Sequence, residues 1–451
     1  MKHLVKIVII TILTITNLQA QVTLTNKKER VDWFQNLGFG MFIHWNVDVT
    51  LGAVISHSLA GASDEYAEKY FSELPKYFNP EKFKPADWAK MAKAAGMKYV
   101  VFTAKHHSGF CMYNTSTTSF NVMNTPFKRD VTKEIVDAFR NEGLAIGIYF
   151  SPDDFNYLYQ HKMPIGRLQL PEHYPTKNAG LMEYDKKQIK ELLTNYGKID
   201  MLFIDGPAEG LKEYAWQIHP DLLVTRGEMK TPEQNTPDNP LPRPWEANYT
   251  MGTDWQYKPT NDITKTGTEI INKLIEIRAK GGNFLLNVGP KADGEIQIEH
   301  QALLQEVALW NFANSEAIYH VKPLPIIKED NIWYVQSNDE KYIYAFVLRN
   351  SWEDWKYGER KTFVLTHIDG NSNTKVSVLG YKSELVEYKV AFDAKIYLAP
   401  TKLGLVVSSI NGQRFYTNNK WPNAVVLKIE NAKFKNNVSV NLLQSNIDGA
   451  K

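Results

Sequence analysis

The feature that most constrains this chain is an alternation. From about Gly38 to Trp310, short apolar runs alternate with amphipathic stretches of helical period, which points to a parallel β/α architecture. The strand-like runs fall at 40–44, 99–104, 145–150, 201–205, 222–225, 246–250 and 284–288. Helical stretches lie between and after them, at 86–95, 131–141, 184–196, 268–279 and 300–314. In the first of these, Trp88, Met91, Ala92 and Ala95 recur at i, i+3, i+4 and i+7 and so share one face. Seven strands are legible and an eighth is not. A closed barrel is preferred to an open doubly wound sheet because no Gly-rich phosphate loop follows the first strand. His44, His106, Ser151, Asp205 and Arg226 each stand at or just past the C-terminal end of a strand, where barrel enzymes carry their chemistry.

After about Val321 the pattern changes to short alternating segments at 332–336, 342–348, 361–365, 375–379 and 403–408. Turn residues such as Asn338-Asp339 and Asp369-Gly370 separate them, which reads as an appended antiparallel β-sandwich. The expected fold is therefore α/β: a (β/α)8-like TIM barrel over residues 21–320 and a C-terminal antiparallel β-sandwich over 321–451. A length of 451 residues suits two such domains.

The first twenty residues read as a targeting segment. Lys2, His3 and Lys6 make a basic start, Ile7 to Ile15 an apolar centre, and Leu18-Gln19-Ala20 a small-residue exit. The apolar stretch is short for a bilayer span, so a cleaved signal peptide and export to the periplasm or outside the cell are expected, without membrane insertion. The sole cysteine, Cys111, has no intrachain partner for a disulfide, so the exported chain must rely on its core. A formal net charge of +2 offers no field to recruit nucleic acid. The aromatic content of 12% suits a neutral carbohydrate partner, since flat rings stack on sugar C–H faces, although rings also fill cores.

The chemistry gathers in a few motifs. "KIDMLFIDGP" ends a buried strand with Asp205 and then breaks at Gly206-Pro207. A carboxylate there projects from the barrel rim, or else caps the helix that begins near Leu211. In the following loop, Glu233 lies 28 residues beyond Asp205 (233 − 205). Two carboxyls about 5–5.5 Å apart are what a retaining glycosidase needs. Glu228 and Glu246 compete with Glu233, Glu246 from what looks like the start of a strand. His44, His106 and His107 stand at strand ends. Metal ligation is one reading, but there is no H-x₃-H spacing, and adjacent residues on an extended segment point to opposite sides. Hydrogen bonding to sugar hydroxyls explains the three imidazoles equally well, with Trp45 as an apolar wall.

Taken together, "WFQNLGFGMFIHW", "TAKHHSGF", "NVMNTPFKRDVTKEIVDAFRNEGLAIGIYFS", "FIDGP", "TPEQ", "LPRPWE" and "KGGNFLLNVGPKADGEI" resemble glycoside hydrolase family 29, the α-L-fucosidases. The resemblance runs from about Trp33 to Tyr319 with seven motifs in the family's order. It implies a barrel followed by a β-sandwich, hydrolysis with retention, no metal or other cofactor, and a fucosylated oligosaccharide or glycoconjugate as substrate. By motif, Asp205 resembles the nucleophile and Glu233 the acid/base. His44, His106 and His107 look like ligands of sugar hydroxyls, Tyr149 like an active-site tyrosine, and Arg226 like the arginine after the fifth strand. Glu65 resembles the first member of the family's Glu-Trp pair, with Tyr66 in place of Trp.

Three positions depart from the pattern. Ser108 stands where Asp often follows the two histidines, Phe203 where Trp commonly precedes the nucleophile, and Pro207 where a second Gly is usual. Because these border the sugar site, a related sugar such as an α-L-galactoside, or a barrel that binds glycan without turnover, stays open beside fucose. Phe203 or Phe39 is the expected apolar contact for the C5 methyl. The 153–175 insertion and the 47–62 segment are expected to shape the rim.

Overall fold

The structure, a computed structural model, describes residues 24–166, 170–386, 388–412 and 419–435; the expected signal segment lies outside the described residues. Seven parallel strands form the first sheet: β1 (Phe39–Ile43), β2 (Tyr99–Lys105), β3 (Ala145–Phe150), β4 (Met201–Ile204), β5 (Leu223–Val224), β6 (Glu246–Thr250) and β7 (Asn283–Val288). Their order is β5-β4-β3-β2-β1-β7-β6. Around them lie α1 (Lys28–Leu37), α2 (Asp64–Glu73), α3 (Pro85–Ala94), α4 (Val131–Asn141), α5 (Phe155–Gln160), α6 (Ala179–Thr194), α7 (Leu211–Ile218), α8 (Gly267–Ala279) and α9 (Ile298–Asn314). Among the described residues, no helix is long and apolar enough to cross a membrane.

The strands read as continuous apolar runs because both of their faces are covered. Phe42, Tyr99, Val101, Tyr149, Met201, Phe203, Leu223 and Leu285 pack together inside the curl. Their neighbours Met41, Ile43, Val100, Phe102, Ile148, Leu202, Ile204 and Leu286 join the larger core with the helices. Gly40 is needed in the sheet because a Cβ there would lie 2.5 Å from the Tyr99 ring.

The missing eighth element is a kinked continuation of β5. Past Val224 the chain still bonds β4, through Ile204 N–H to the Arg226 carbonyl at 3.1 Å, and then turns at 225–229. Residues 230–234 next run parallel to β6, with bridges Lys230↔Trp245 and Glu233↔Asn248. One stretch of chain thereby links the two edges of the sheet. Proline at 232 and flanking polar residues disguise it as a loop.

Past α9 come β8 (Val321–Glu329), β9 (Ile332–Ser337), β10 (Tyr342–Val347), β11 (Arg360–Leu365), β12 (Ile368–Asp369), β13 (Lys375–Val378), β14 (Tyr397–Pro400), β15 (Leu405–Ile410), β16 (Val425–Glu430) and β17 (Lys433–Phe434). They form an antiparallel five-stranded sheet, β13-β16-β10-β9-β8, a three-stranded sheet, β11-β15-β14, and the pair β12-β17. Ile343, Ala345, Val347, Leu427 and Ile429 meet Phe363, Leu365 and Val407 between the sheets. The opposite face, with Trp333, Val335, Tyr344, Phe346 and Val426, belongs to the barrel core. Trp310 on α9 donates its indole N–H to the Ala424 carbonyl at 2.8 Å, fastening the sandwich to the barrel.

Candidate active site

Asp205 follows β4 directly, its N–H bonded to the Phe150 carbonyl at 3.0 Å. Gly206 has φ 143, and a Cβ there would come within 3.0 Å of Pro152, so the chain leaves the strand abruptly. The carboxylate does not cap α7, whose N-cap is Gly210. Three donors converge on it instead. The Tyr149 hydroxyl donates to Oδ2 at 2.6 Å, His107 Nε2 lies 3.4 Å from the same oxygen, and Arg226 Nε lies 3.1 Å from Oδ1. Burial opposes the charge of Asp205, but His107, Arg226 and Tyr149 outweigh it and hold the carboxyl well below its ordinary range.

Arg226 also pairs through Nη1 with Glu233, so one guanidinium bridges the two carboxylates singled out in the sequence. Glu233 sits on the 230–234 segment, its side chain 41% exposed. Its competitors lie elsewhere. Glu246 begins β6, fully buried, and accepts from the Tyr99 hydroxyl at 2.6 Å at the N-terminal end of the barrel. Glu228 accepts from Lys212 and Thr25 at 2.8 Å each.

The three imidazoles differ in charge because their partners differ. His44 Nδ1 meets the Asn287 amide oxygen at 2.6 Å, and burial lowers its pKa to about 4 against the opposing pull of that bond and of Asp205. His106 bonds Ser56 at 2.8 Å and stacks on Tyr149, and burial holds it neutral too. His107 is equally buried but pairs with Asp153 at Nδ1 and faces Asp205 at Nε2, which raises its pKa to about 9.

The two adjacent histidines do not point to opposite sides. β2 slips register between Thr103 and Lys105 and ends at Lys105, so His106 and His107 occupy a turn with ring centroids 4.5 Å apart. Ligating atoms of His106, His107 and Asp205 lie within 4.8 Å of one another, a set that could hold a metal ion. A proton on His107, fixed between Asp153 and Asp205, competes for the same lone pair.

Phe203 lies beneath the cluster, stacked on Tyr149 with centroids 5.5 Å apart and with the Arg226 guanidinium 5.5 Å above it. Trp45 does not line the site. It is fully buried on the outer side of the barrel among Phe78, Phe83 and Trp88, because the residue after His44 alternates to the opposite face. Phe39 is likewise excluded as the methyl contact, being buried at the start of β1 against Phe284. Glu65 is exposed in the first turn of α2, where its carboxylate meets Ser63 and its own N–H.

Four contributors were not singled out in the sequence: Asp153, Ser56, Asn287 and Trp255. Trp255, partly buried, stands with its ring 4.9 Å from that of His44, on the side of the site where Trp45 was expected. A rim position just past β6 was its only signal. Ser108, the departure after the two histidines, accepts from the Asn46 amide at 2.9 Å. Beside Trp255 opens a groove of about 580 Å³, lined by Gln234, Thr253, Asp254, Ile263 and Lys265.

A family model described as Alpha-L-fucosidase matches residues 11–316. The chain is 28% identical over 408 residues to the α-L-fucosidase of Dictyostelium discoideum, covering 80% of this chain and 85% of that one. It is 27% identical over 363 residues to the human plasma α-L-fucosidase, covering 70% and 76%. Among solved structures, α-L-fucosidase isoenzyme 1 from Paenibacillus thiaminolyticus superposes with a TM-score of 0.72 at 29% identity, covering 89% of this chain and 98% of that one. The chain belongs to the α-L-fucosidases, glycoside hydrolase family 29.

Proposed function

We propose that the chain removes terminal α-L-fucosyl residues from glycans by double displacement, with Asp205 as nucleophile and Glu233 as acid/base. The observation that carries this reading is the setting of Asp205. It is a carboxylate at a barrel rim, kept ionised by three donors and joined to a second carboxylate through Arg226. In the first half, Asp205 attacks C1 while Glu233, turned from Arg226 toward the glycosidic oxygen, gives its proton to the departing glycan. In the second half, Glu233 takes a proton from water, whose oxygen attacks C1 and releases Asp205 and α-L-fucose. Neutral His44 spends its N–H on the Asn287 oxygen, so its Nε2 accepts from a sugar hydroxyl, while neutral His106, with Nδ1 on the Ser56 hydroxyl, offers Nε2 as donor or acceptor according to its tautomer. Trp255 offers its face to the apolar side of the ring, and the groove beside it receives the leaving glycan. We further propose that the chain is exported, on the pattern of Lys2, Lys6 and the apolar run from Ile7 to Ile15.

The test is hydrolysis of a chromogenic aryl α-L-fucoside by the wild type beside Asp205→Asn, with the first-formed anomer read by proton NMR. The expected result is release of the α anomer and a loss in the variant of about 10⁴-fold or more. Equal rates would show that another carboxylate attacks, and release of the β anomer would exclude double displacement.

A further inference from the structure

Lys105 is fully buried with two carboxylates that belong to no sugar contact. Its Nζ lies 3.0 Å from Asp185 Oδ1 on α6 and 3.3 Å from Asp154 Oδ2 at the start of α5, both carboxylates also fully buried. Burying three ionisable groups away from solvent is unfavourable, and an apolar set of the same volume is often at least as stable. The cluster therefore invites an explanation other than stability.

Its placement supplies one. Tyr99 and Val101 face the barrel interior, and simple alternation would send Lys105 there too. The register slip between Thr103 and Lys105 turns it outward instead, with Nζ 4.1 Å over the ring of Phe150. From there it holds Asp154, whose other oxygen caps α5 by accepting from Tyr157 N–H at 2.8 Å. Two main-chain bonds tie the same loop to the end of β2: Ser151 N–H to the Lys105 carbonyl at 3.1 Å, and Phe155 N–H to the His107 carbonyl at 2.8 Å. Between those two anchors stands Asp153, whose carboxylate bonds His107 Nδ1, and His107 in turn faces Asp205.

We infer that Lys105 is a positioning residue. Its buried pair with Asp154 clamps the 151–155 loop so that Asp153 meets His107 and His107 is aimed at the nucleophile. A tight site needs such support, because a displacement of about 1 Å at a reacting group can slow a reaction some hundredfold. Asp185 completes the cavity and shares the cation, but belongs to α6 and not to the loop that carries Asp153. The inference rests on Asp205 being the nucleophile only for its kinetic consequence. The clamp itself is read at His107.

The experiment compares Asp154→Asn with Asp185→Asn in the full chain. Asparagine caps a helix about as well as aspartate, so the first variant keeps the α5 cap through Oδ1 and turns an amide NH2 toward Lys105 in place of the accepting oxygen. Asp154→Asn should lower kcat on an aryl α-L-fucoside at least tenfold with KM within about twofold, and should shift or broaden the far-downfield proton resonance of His107 Nδ1–H. Asp185→Asn should leave both readouts near wild type. Two results overturn the inference: an unchanged His107 resonance in Asp154→Asn, or the same kcat loss in both variants at matched Tm. Should Asp154→Asn not fold, Lys105→Met combined with Asp154→Asn and Asp185→Asn carries the same test without unpaired buried charge. A shifted resonance with unchanged kcat would preserve the clamp while counting against the nucleophile assignment.

Discussion

His44 and His107 form an internal control for what a carboxylate does to a buried imidazole. Both are buried, yet one titrates at about 4 beside the Asn287 amide and the other at about 9 between Asp153 and Asp205. Asp153→Asn makes the partner of His107 Nδ1 an amide, as at His44, and leaves Asp205 in place. His107 should then titrate well below about 9, toward the value of His44. Near pH 8 the variant's imidazole is neutral and its charged hydrogen bond to Asp205 is lost. Such bonds contribute about 1.5–3 kcal/mol, so kcat/KM should fall about ten- to a hundredfold at pH 8 and less at pH 6. Stability moves with opposite sign on pH. Because the folded pKa is raised, the wild-type contribution is fully present below about 6.5 and is lost as pH rises through about 9. The wild-type Tm should decline across that window and the variant's should stay flatter. The assays are histidine titration by NMR and pH–rate profiles on an aryl α-L-fucoside. A His107 in Asp153→Asn that still titrates near 9, or an activity deficit independent of pH, would refute the reasoning.

Two further outcomes separate packing from function. Trp45→Ala should cost about 3–5 kcal/mol of stability because it empties a space walled by Phe78, Phe83 and Trp88, whereas Trp255→Ala should leave Tm nearly unchanged and raise KM; thermal denaturation and steady-state kinetics distinguish them. Glu246→Gln should retain activity and at pH 7 be as stable as the wild type or more so. Burial raises the Glu246 pKa to about 8, so the wild type loses stability as pH rises from about 4.3, the unfolded value, through about 8, while glutamine does not. A comparison of Tm at pH 4.5 and pH 7 checks the sign.

Much of the barrel was legible because its strands are buried on both faces and read as unbroken apolar runs. The same property hid β16. Its Val425, Val426, Leu427 and Ile429 are all buried, and such a run does not declare helix or strand by period. β8 was hidden by Pro323 and Pro325. Within the site, Asp205 and Arg226 were readable because strand ends place them, and Tyr149 only through the family resemblance. Their neighbours were not, because each contact joins distant segments: His44 to Asn287 across 243 residues, His106 to Ser56 across 50 and His107 to Asp153 across 46. Trp45 was misplaced for a reason the sequence did contain. If His44 faces the interior, period-two alternation sends its successor outward.

The donors around Asp205 also distinguish its two oxygens. An ionised carboxylate offers about four lone-pair positions, two on each oxygen. Oδ2 meets both the Tyr149 hydroxyl and His107, while Oδ1, among the described residues, meets Arg226. Under the proposed double displacement, the lone pair left for C1 is on Oδ1, and Tyr149 and His107 fix the plane in which it points. Tyr149→Phe tests this directly. It removes one donor from Oδ2 while leaving the ring stacked between His106 and Phe203, so Tm should change little. With Oδ2 unsaturated, the carboxylate can rotate and attack less often in the productive orientation. The loss should then appear in kcat, by about ten- to a hundredfold for a hydrogen bond to a charged group, with KM nearly constant. A variant that raises KM instead would mean that the Tyr149 hydroxyl serves the sugar and that the two oxygens of Asp205 are equivalent.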